Sequence, residues 1–403
     1  MSAGIVVFGL VWMLVSARRL GALPLHRPIV VVAGAGLMIA LGVLSPEQAW
    51  ESIDGPTLAL LLGMMGMAAF LTLDGATERA AAALAGRSTD RRELRGRVVW
   101  GAAGLSALLT NDAAVVLLAP VVVQLVRAHR LPPLPYLLAL ATAANTGSAA
   151  TLVGNPQNML CAALGELSYR DHLLAVGPAA LVGVAINHAL LLLLCRKDLG
   201  GAPLLTVEAA PLDRRTWLAL GVVGATAVAH TAGASLPGAA LLGFGGLLAL
   251  RWREAGQALR GVDWAILGFF AGLFVVVQGL VASGLPARWF AAHPLWVGEG
   301  AAAIARLSAV FLLGSNLVSN VPFILVVQEQ MASLPDPELG WELLTVTSTF
   351  AGNLTLLGSV ANVIVASRAD EVGGLGFLAH LRVGLPVAVV TTAVAVPIVV
   401  ALG

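Results

Sequence analysis

Two short polar runs interrupt apolar stretches of this 403-residue sequence, and their residue types are suited to binding a solute or carrying a proton. The first is Thr110-Asn111-Asp112. The second extends from Ser315-Asn316 to Ser319-Asn320. A further polar stretch follows each of them: Asn145, Thr146, Ser148, Thr151, Asn155 and Asn158 after the first, and Asn353, Thr355, Ser359 and Asn362 after the second. Amides and hydroxyls donate and accept hydrogen bonds, so such a set can enclose a small oxygen-rich solute without any fixed charge. No Lys or Arg falls within either polar tip. A strongly anionic solute would have to be held by helix ends and amides alone. Asp112 is the acid at a polar tip. A carboxylate at mid-membrane costs about 2.5–3.5 kcal/mol on insertion scales, which makes it a functional candidate, here as a carrier of protons. Taken singly, each Asn, Ser or Thr could equally satisfy backbone groups freed where a helix breaks. The duplication of the whole set points to a binding site.

Other eye-catching residues have plainer readings. Asp54 and Asp263 each begin an apolar segment, where Asp serves as a helix N-cap. Arg97 and Arg306 stand where the two interrupted segments begin and suit an interfacial anchor. His188 and His230 read as packing or interfacial residues. Cys161 and Cys195 read as packing residues, not as a disulfide or a metal site. The sequence carries no metal-ligand spacing, phosphate loop or nucleophile elbow. Neither an enzyme, a metal site nor a cofactor is expected.

The elements that must position these residues are membrane helices. The chain is 58% hydrophobic and only 11% charged, against about a quarter charged in soluble domains. Apolar runs of about 20 residues recur throughout. The net charge of +1 gives no reason to expect nucleic acid as a partner. The N-terminal apolar run lacks a basic flank ahead of it and reads as a retained first span, not a cleaved signal. Segments 97–129 and 302–331 are too long for one crossing at about 1.5 Å per residue. Their central polar breaks predict helical hairpins that enter and leave by the same face. Segments 134–165 and 341–366 predict broken helices. Residues 75–95 suit an amphipathic helix on the membrane surface.

These anomalies come in pairs. A shift of 209 residues places Pro28 on Pro237, Gly34 on Gly243, Asp54 on Asp263, Gly63 on Gly272, Arg97 on Arg306 and Asn111 on Asn320. The shift then becomes 204, placing Thr151 on Thr355, Gly154 on Gly358 and Asn158 on Asn362. The expected fold is therefore an all-α polytopic membrane protein of two repeats. Repeat 1 covers 1–196, a linker covers 197–215, and repeat 2 covers 216–403. Each repeat holds five spans, one re-entrant hairpin and one broken helix. An odd number of crossings inverts the second repeat relative to the first. The positive-inside rule orients the whole. With both termini outside, 20 of the 23 basic residues face the cytoplasm; only Arg170, Arg288 and Arg306 do not. The first hairpin then opens to the cytoplasm and the second outward, in a cell inner membrane.

The motifs Leu109-Thr110-Asn111-Asp112, Ala144-Asn145-Thr146-Gly147-Ser148 and Gly154-Asn155-Pro156-Gln157-Asn158 resemble those of the ion-transporter superfamily of arsenite pumps, sodium/proton antiporters and dicarboxylate carriers. With Ser319-Asn320-Val321-Pro322 and Asn353-Leu354-Thr355-Leu356-Leu357-Gly358-Ser359, the likeness is closest to plant-type silicic acid efflux transporters and their bacterial relatives. The resemblance implies secondary active efflux of silicic acid, or of arsenite, driven by proton flow. Its competitors are arsenite or antimonite efflux, sodium/proton exchange and, outside carriers, a passive channel. The expected partners are a small-molecule substrate, protons and the lipid bilayer, with a homodimer left open. Alanine at Asn145, Thr151, Asn353 or Thr355 is expected to weaken transport with folding intact, each losing one or two hydrogen bonds.

Overall fold

The computed structural model describes residues 3–75, 79, 90–196, 213–369 and 372–403, residues 18, 21, 22 and 25 excepted. The surface helix expected over 75–95 and the linker expected over 197–215 fall largely outside the described residues.

Nineteen helices make up nearly all of the described chain, beside one two-residue antiparallel pair, Arg19–Leu20 with Leu23–Pro24. The first half supplies α1 (Ala3–Ala17), α2 (Arg27–Ala40), α3 (Pro46–Glu51), α4 (Gly55–Leu73) and α5 (Arg91–Leu108). It continues with α6 (Asn111–Ala128), α7 (Pro133–Ser148), α8 (Pro156–Leu164) and α9 (Tyr169–Leu194). The second half supplies α10 (Arg214–Thr231), α11 (Leu236–Leu250), α12 (Ala255–Gly261), α13 (Trp264–Ala282) and α14 (Leu285–Ala292). It ends with α15 (Gly300–Val318), α16 (Asn320–Met331), α17 (Pro337–Ala351), α18 (Val360–Ala369) and α19 (Phe377–Leu402). Among the described residues, six helices are long and apolar enough to cross a membrane by themselves: α4, α6, α9, α13, α15 and α19. This is a multi-pass membrane protein.

Local chemistry sets the breaks. The Asp54 carboxylate accepts from the Thr57 N–H at 2.6 Å, and that of Asp263 from the Ala265 and Ile266 N–H groups at 3.1 Å. Both aspartates are N-caps, as the sequence led us to expect. Between α5 and α6 the chain turns at Leu109-Thr110, and the Thr110 hydroxyl caps α6 by accepting from the Ala113 N–H at 3.1 Å. Between α15 and α16 a single residue, Ser319, makes the turn at φ +79°, a region costly for a residue with a side chain. The helix pairs α7/α8 and α17/α18 are separated by unwound stretches at 149–155 and 352–359.

The helices pack as two bodies. In one, α2 lies on α13 and α4 on α11, flanked by α1, α10 and α12. In the other, α9 lies on α19, α5 on α7, α15 on α17 and α6 on α18. The bodies meet where α4 touches α8 and α6, and where α13 touches α16. Packing partners recur at mate positions. A Cβ on Gly63 of α4 would sit 2.5 Å from the carbonyl carbon of Ala240 on α11. One on Gly272 of α13 would sit 3.1 Å from the Val31 side chain on α2. Gly63 and Gly272 are 209 apart, as are Val31 and Ala240. Glycine lets the two helix backbones cross closely. Gly63→Ala should therefore force α4 off α11 and cost about 1–3 kcal/mol. A thermal unfolding midpoint in detergent equal to that of the native protein would refute this.

Candidate functional site

Four helix N-termini converge on one cavity of about 90 Å³ along the seam between the bodies. Asn111 and Asp112 come from the start of α6, and Pro156 and Gln157 from the start of α8. Ser319 and Asn320 come from the start of α16, and Ser359 and Val360 from the start of α18. The positive ends of four helix dipoles thus face one space. Asp112 is held there by its neighbour. Its own N–H donates to Asn111 Oδ1 at 2.8 Å. Asn320 Oδ1 is buried and has no hydrogen-bond partner. It is an acceptor suited to a hydroxyl donor.

Behind this cavity the remaining polar residues bond mainly to one another. Asn158 Nδ2 donates to the carbonyls of Ser148 and Thr151, at 3.1 and 3.0 Å. Asn362, 204 residues on, donates to the carbonyls of Gly352 and Thr355, at 2.7 and 3.1 Å. Carbonyls only accept, so both amides are oriented with Oδ1 free to receive. Asn158 Oδ1 receives from the Thr349 hydroxyl at 2.7 Å, and Asn362 Oδ1 from Asn145 Nδ2 at 2.9 Å. Thr349 and Asn145 are themselves 204 apart. Likewise Asn155 Nδ2 donates to Thr349 Oγ1 at 3.0 Å, while its mate Ser359 donates to Asn145 Oδ1 at 2.8 Å. Each repeat thus closes its break with a donor borrowed from the other.

The residues singled out by sequence separate into two sets. Asn111, Asp112, Ser319, Asn320 and Ser359 line the central cavity. Thr110 caps α6 and lines, with Asp112 and Asp263, a neighbouring cavity of about 220 Å³. Asn145, Thr146, Ser148, Asn155, Asn158, Asn353 and Asn362 are buried in the network behind. Thr151 donates to the Ala107 carbonyl at 2.7 Å, and Thr355 bonds Asn316 of α15. These last two fasten each hairpin to its broken helix. His188 accepts from the Trp100 indole N–H at 3.2 Å, and His230 bonds the Leu236 carbonyl at 3.1 Å, both packing roles.

Several residues escaped the sequence reading. Gln157 and Arg27 also line the central cavity. Thr349, His172, Glu342 and His380 lie at or beside the breaks. The repeat register could have found Thr349, the mate of Asn145, whereas His380 stands 208 residues after His172, outside both shifts. Arg27 has no such signal, since as the first residue of α2 it reads as one more basic residue flanking an apolar run.

The sequence profile of the CitMHS family, described as citrate transporters, matches residues 10–351. The chain belongs to this family. Within the ion-transporter superfamily, this CitMHS member is 33% identical to the silicon efflux transporter LSI3 of Oryza sativa subsp. japonica, over 98% of this chain and 97% of that one. It is 31% identical to a 46 kDa membrane protein of Mycobacterium leprae (strain TN), covering 97% and 96% of the two chains. Its fold is similar to that of the Alcanivorax borkumensis YdaH transporter, with a TM-score of 0.57 and 16% identity over 98% of this chain and 96% of that one. The protein is a membrane transporter.

Proposed function

We propose that this transporter is a proton-coupled efflux carrier for silicic acid or a related small metalloid hydroxide. The central cavity carries this reading. Its amides and hydroxyls, and the open Asn320 acceptor, suit a neutral polyhydroxyl solute, and Asp112 supplies a group that can gain and lose a proton. The silicon efflux relative supports the same substrate class. The protein sits in the cell inner membrane with both termini outside. The hairpin α5–α6 opens to the cytoplasm and α15–α16 opens outward.

Two cavities support this inverted arrangement. One contains Met65, Ala68, Thr72 and Asp263 and reaches Asp112. The other, of about 360 Å³, contains Phe274, Val277, Val281 and Asp54, the respective mates shifted by 209 or its inverse. We read them as counterpart vestibules, one contributed by each repeat.

A second reading, an anionic substrate, is favoured by Arg27 at the cavity and by the four helix N-termini. A proteoliposome screen of silicic acid, arsenite, sodium and citrate, with an internal pH probe, decides between them. Silicic acid or arsenite flux with opposite proton movement is the expected result. Citrate flux alone, or passive flux indifferent to a pH gradient, would overturn it.

A further inference from the structure

His172 lies in the first turn of α9, in repeat 1, and Glu342 near the start of α17, in repeat 2. Both side chains are buried. His172 Nε2 is 3.1 Å from the carbonyl oxygen of Ala149, the residue at which α7 ends. A carbonyl only accepts, so Nε2 carries a hydrogen; in the neutral ring Nδ1 is then a bare acceptor. Glu342 Oε2 lies 2.5 Å from that Nδ1. An ionised carboxylate is also acceptor-only, and two lone pairs cannot face each other at that distance. A proton must lie between them, on either atom.

The second repeat provides an internal control. His380 is the fourth residue of α19 as His172 is of α9, 208 residues apart, and makes the same bond, Nε2 to the carbonyl of Asn353, also at 3.1 Å. Asn353 is the mate of Ala149 at a shift of 204. His380 Nδ1, however, is buried with no partner, and the mate position of Glu342 is Leu138. A histidine can therefore hold a broken-helix carbonyl in this fold without an acid. Glu342 is an addition. A buried ionisable residue in a membrane helix is costly and marks function by default when its partner can be named.

We propose that His172 and Glu342 form a proton-binding site separate from Asp112, whose one shared proton ties the break between α7 and α8 to α17. Loss of that proton leaves a buried carboxylate facing an imidazole lone pair. The resulting repulsion drives α17 from α9, and Thr349, two turns along α17, is drawn from Asn155 and Asn158. Of the other titratable groups on the surrounding elements, one is near the pair. The Cys161 thiol of α8 lies within electrostatic reach of Glu342. His380 of α19 serves the other break, His230 of α10 is bonded to Leu236 and packs on Tyr169, and Arg95 of α5 lies beside His188. The site is independent of the substrate's identity and of the role given to Asp112.

The test uses the full protein in lipid nanodiscs, titrated with pH and followed by infrared difference spectroscopy and by amide hydrogen exchange over residues 145–158. Glu342→Gln keeps an N–H donor toward Nδ1 that it cannot release, and Glu342→Leu reproduces the mate position. The native protein should show a carboxyl–imidazole titration band that both variants remove and Asp112→Asn leaves intact. Exchange at the break, corrected for the chemical rate, should rise by about tenfold per pH unit as the single proton is lost. Glu342→Gln should follow the chemical rate alone. A band that survives Glu342→Gln, or native exchange with no pH response beyond the chemical rate, overturns the proposal. So does unfolding of both variants, which would make the pair a structural tie. Loss of the substrate reading would leave all of these outcomes unchanged.

Discussion

Replacing Asp112 by asparagine abolishes uphill efflux driven by a proton gradient while exchange of substrate down its own gradient persists. A ligand shifts a conformational equilibrium only by its differential affinity for the two states. Coupling therefore needs a group whose protonation alters how the site receives the solute. Asp112 meets both conditions in position. It lies in the first turn of α6, lines the central cavity with Asn320 and Ser359, and lines the neighbouring cavity with Asp263. Ionised, it only accepts hydrogen bonds; protonated, it can also donate one to a solute oxygen. Asparagine keeps its shape, one acceptor and the helix N-terminus, and stays neutral at every pH. Coupling between two ligands is usually about 1–3 kcal/mol; with no titrating group at position 112 an imposed pH gradient should no longer drive efflux. Counterflow of labelled substrate, measured in the same proteoliposomes, should remain. If Asp112→Asn still concentrates substrate against its gradient with a native pH response, Asp112 is structural and the coupling proton travels through another group.

Asp112 was legible in the sequence because a lone acid inside an apolar run has a local signature, and the same is true of the breaks. Asp54 and Asp263 announce span starts through short-range capping, whereas Thr110 and Asn155, read from sequence as solute ligands, also cap their helices. The repeat register was legible too, since Asn111, Asn158 and their mates stand at fixed offsets. What those polar residues bond to was not. The bond from Asn145 to Asn362 spans 217 residues and that from Thr349 to Asn158 spans 191. No local pattern records a partner at such separation. Sequence reasoning therefore turned all fourteen amides and hydroxyls toward a solute, whereas most of them are bonded to each other. Glu342 was overlooked for a related reason. It sits near a helix start with Glu338 and Asp336, where acids are ordinary, and only the approach of His172 from the other repeat gives it a different character.

Asn145 carries the largest structural consequence of that cross-bonding. Its Oδ1 accepts from Asn111 at 3.1 Å and from Ser359 at 2.8 Å, and its Nδ2 donates to Asn353 at 3.0 Å and Asn362 at 2.9 Å. One side chain thus joins the tip of the first hairpin, its own broken helix and the broken helix of the other repeat. The expectation that alanine here loses one or two bonds with folding intact is corrected by this geometry. Asn145→Ala strands four polar groups, all of them buried. Each buried group left unsatisfied costs about 1–3 kcal/mol, so the summed loss approaches the whole stability of an ordinary domain. The orientation of the amide is fixed by Asn362, whose own Nδ2 is committed to two backbone carbonyls. Asn145→Asp, which replaces both donors by acceptors, should therefore be at least as damaging as alanine. Asn145→Thr, the residue found at the mate position 349, restores one donor and one acceptor and should recover part of the loss. The expected order of thermal midpoints in detergent is native above threonine, with alanine and aspartate lowest and poorly expressed. Thr151→Ala, which surrenders a single bond to the Ala107 carbonyl, should fall by much less. If Asn145→Ala unfolds at the native midpoint and loses only substrate affinity, the amide points to the solute and the four-bonded hub is refuted.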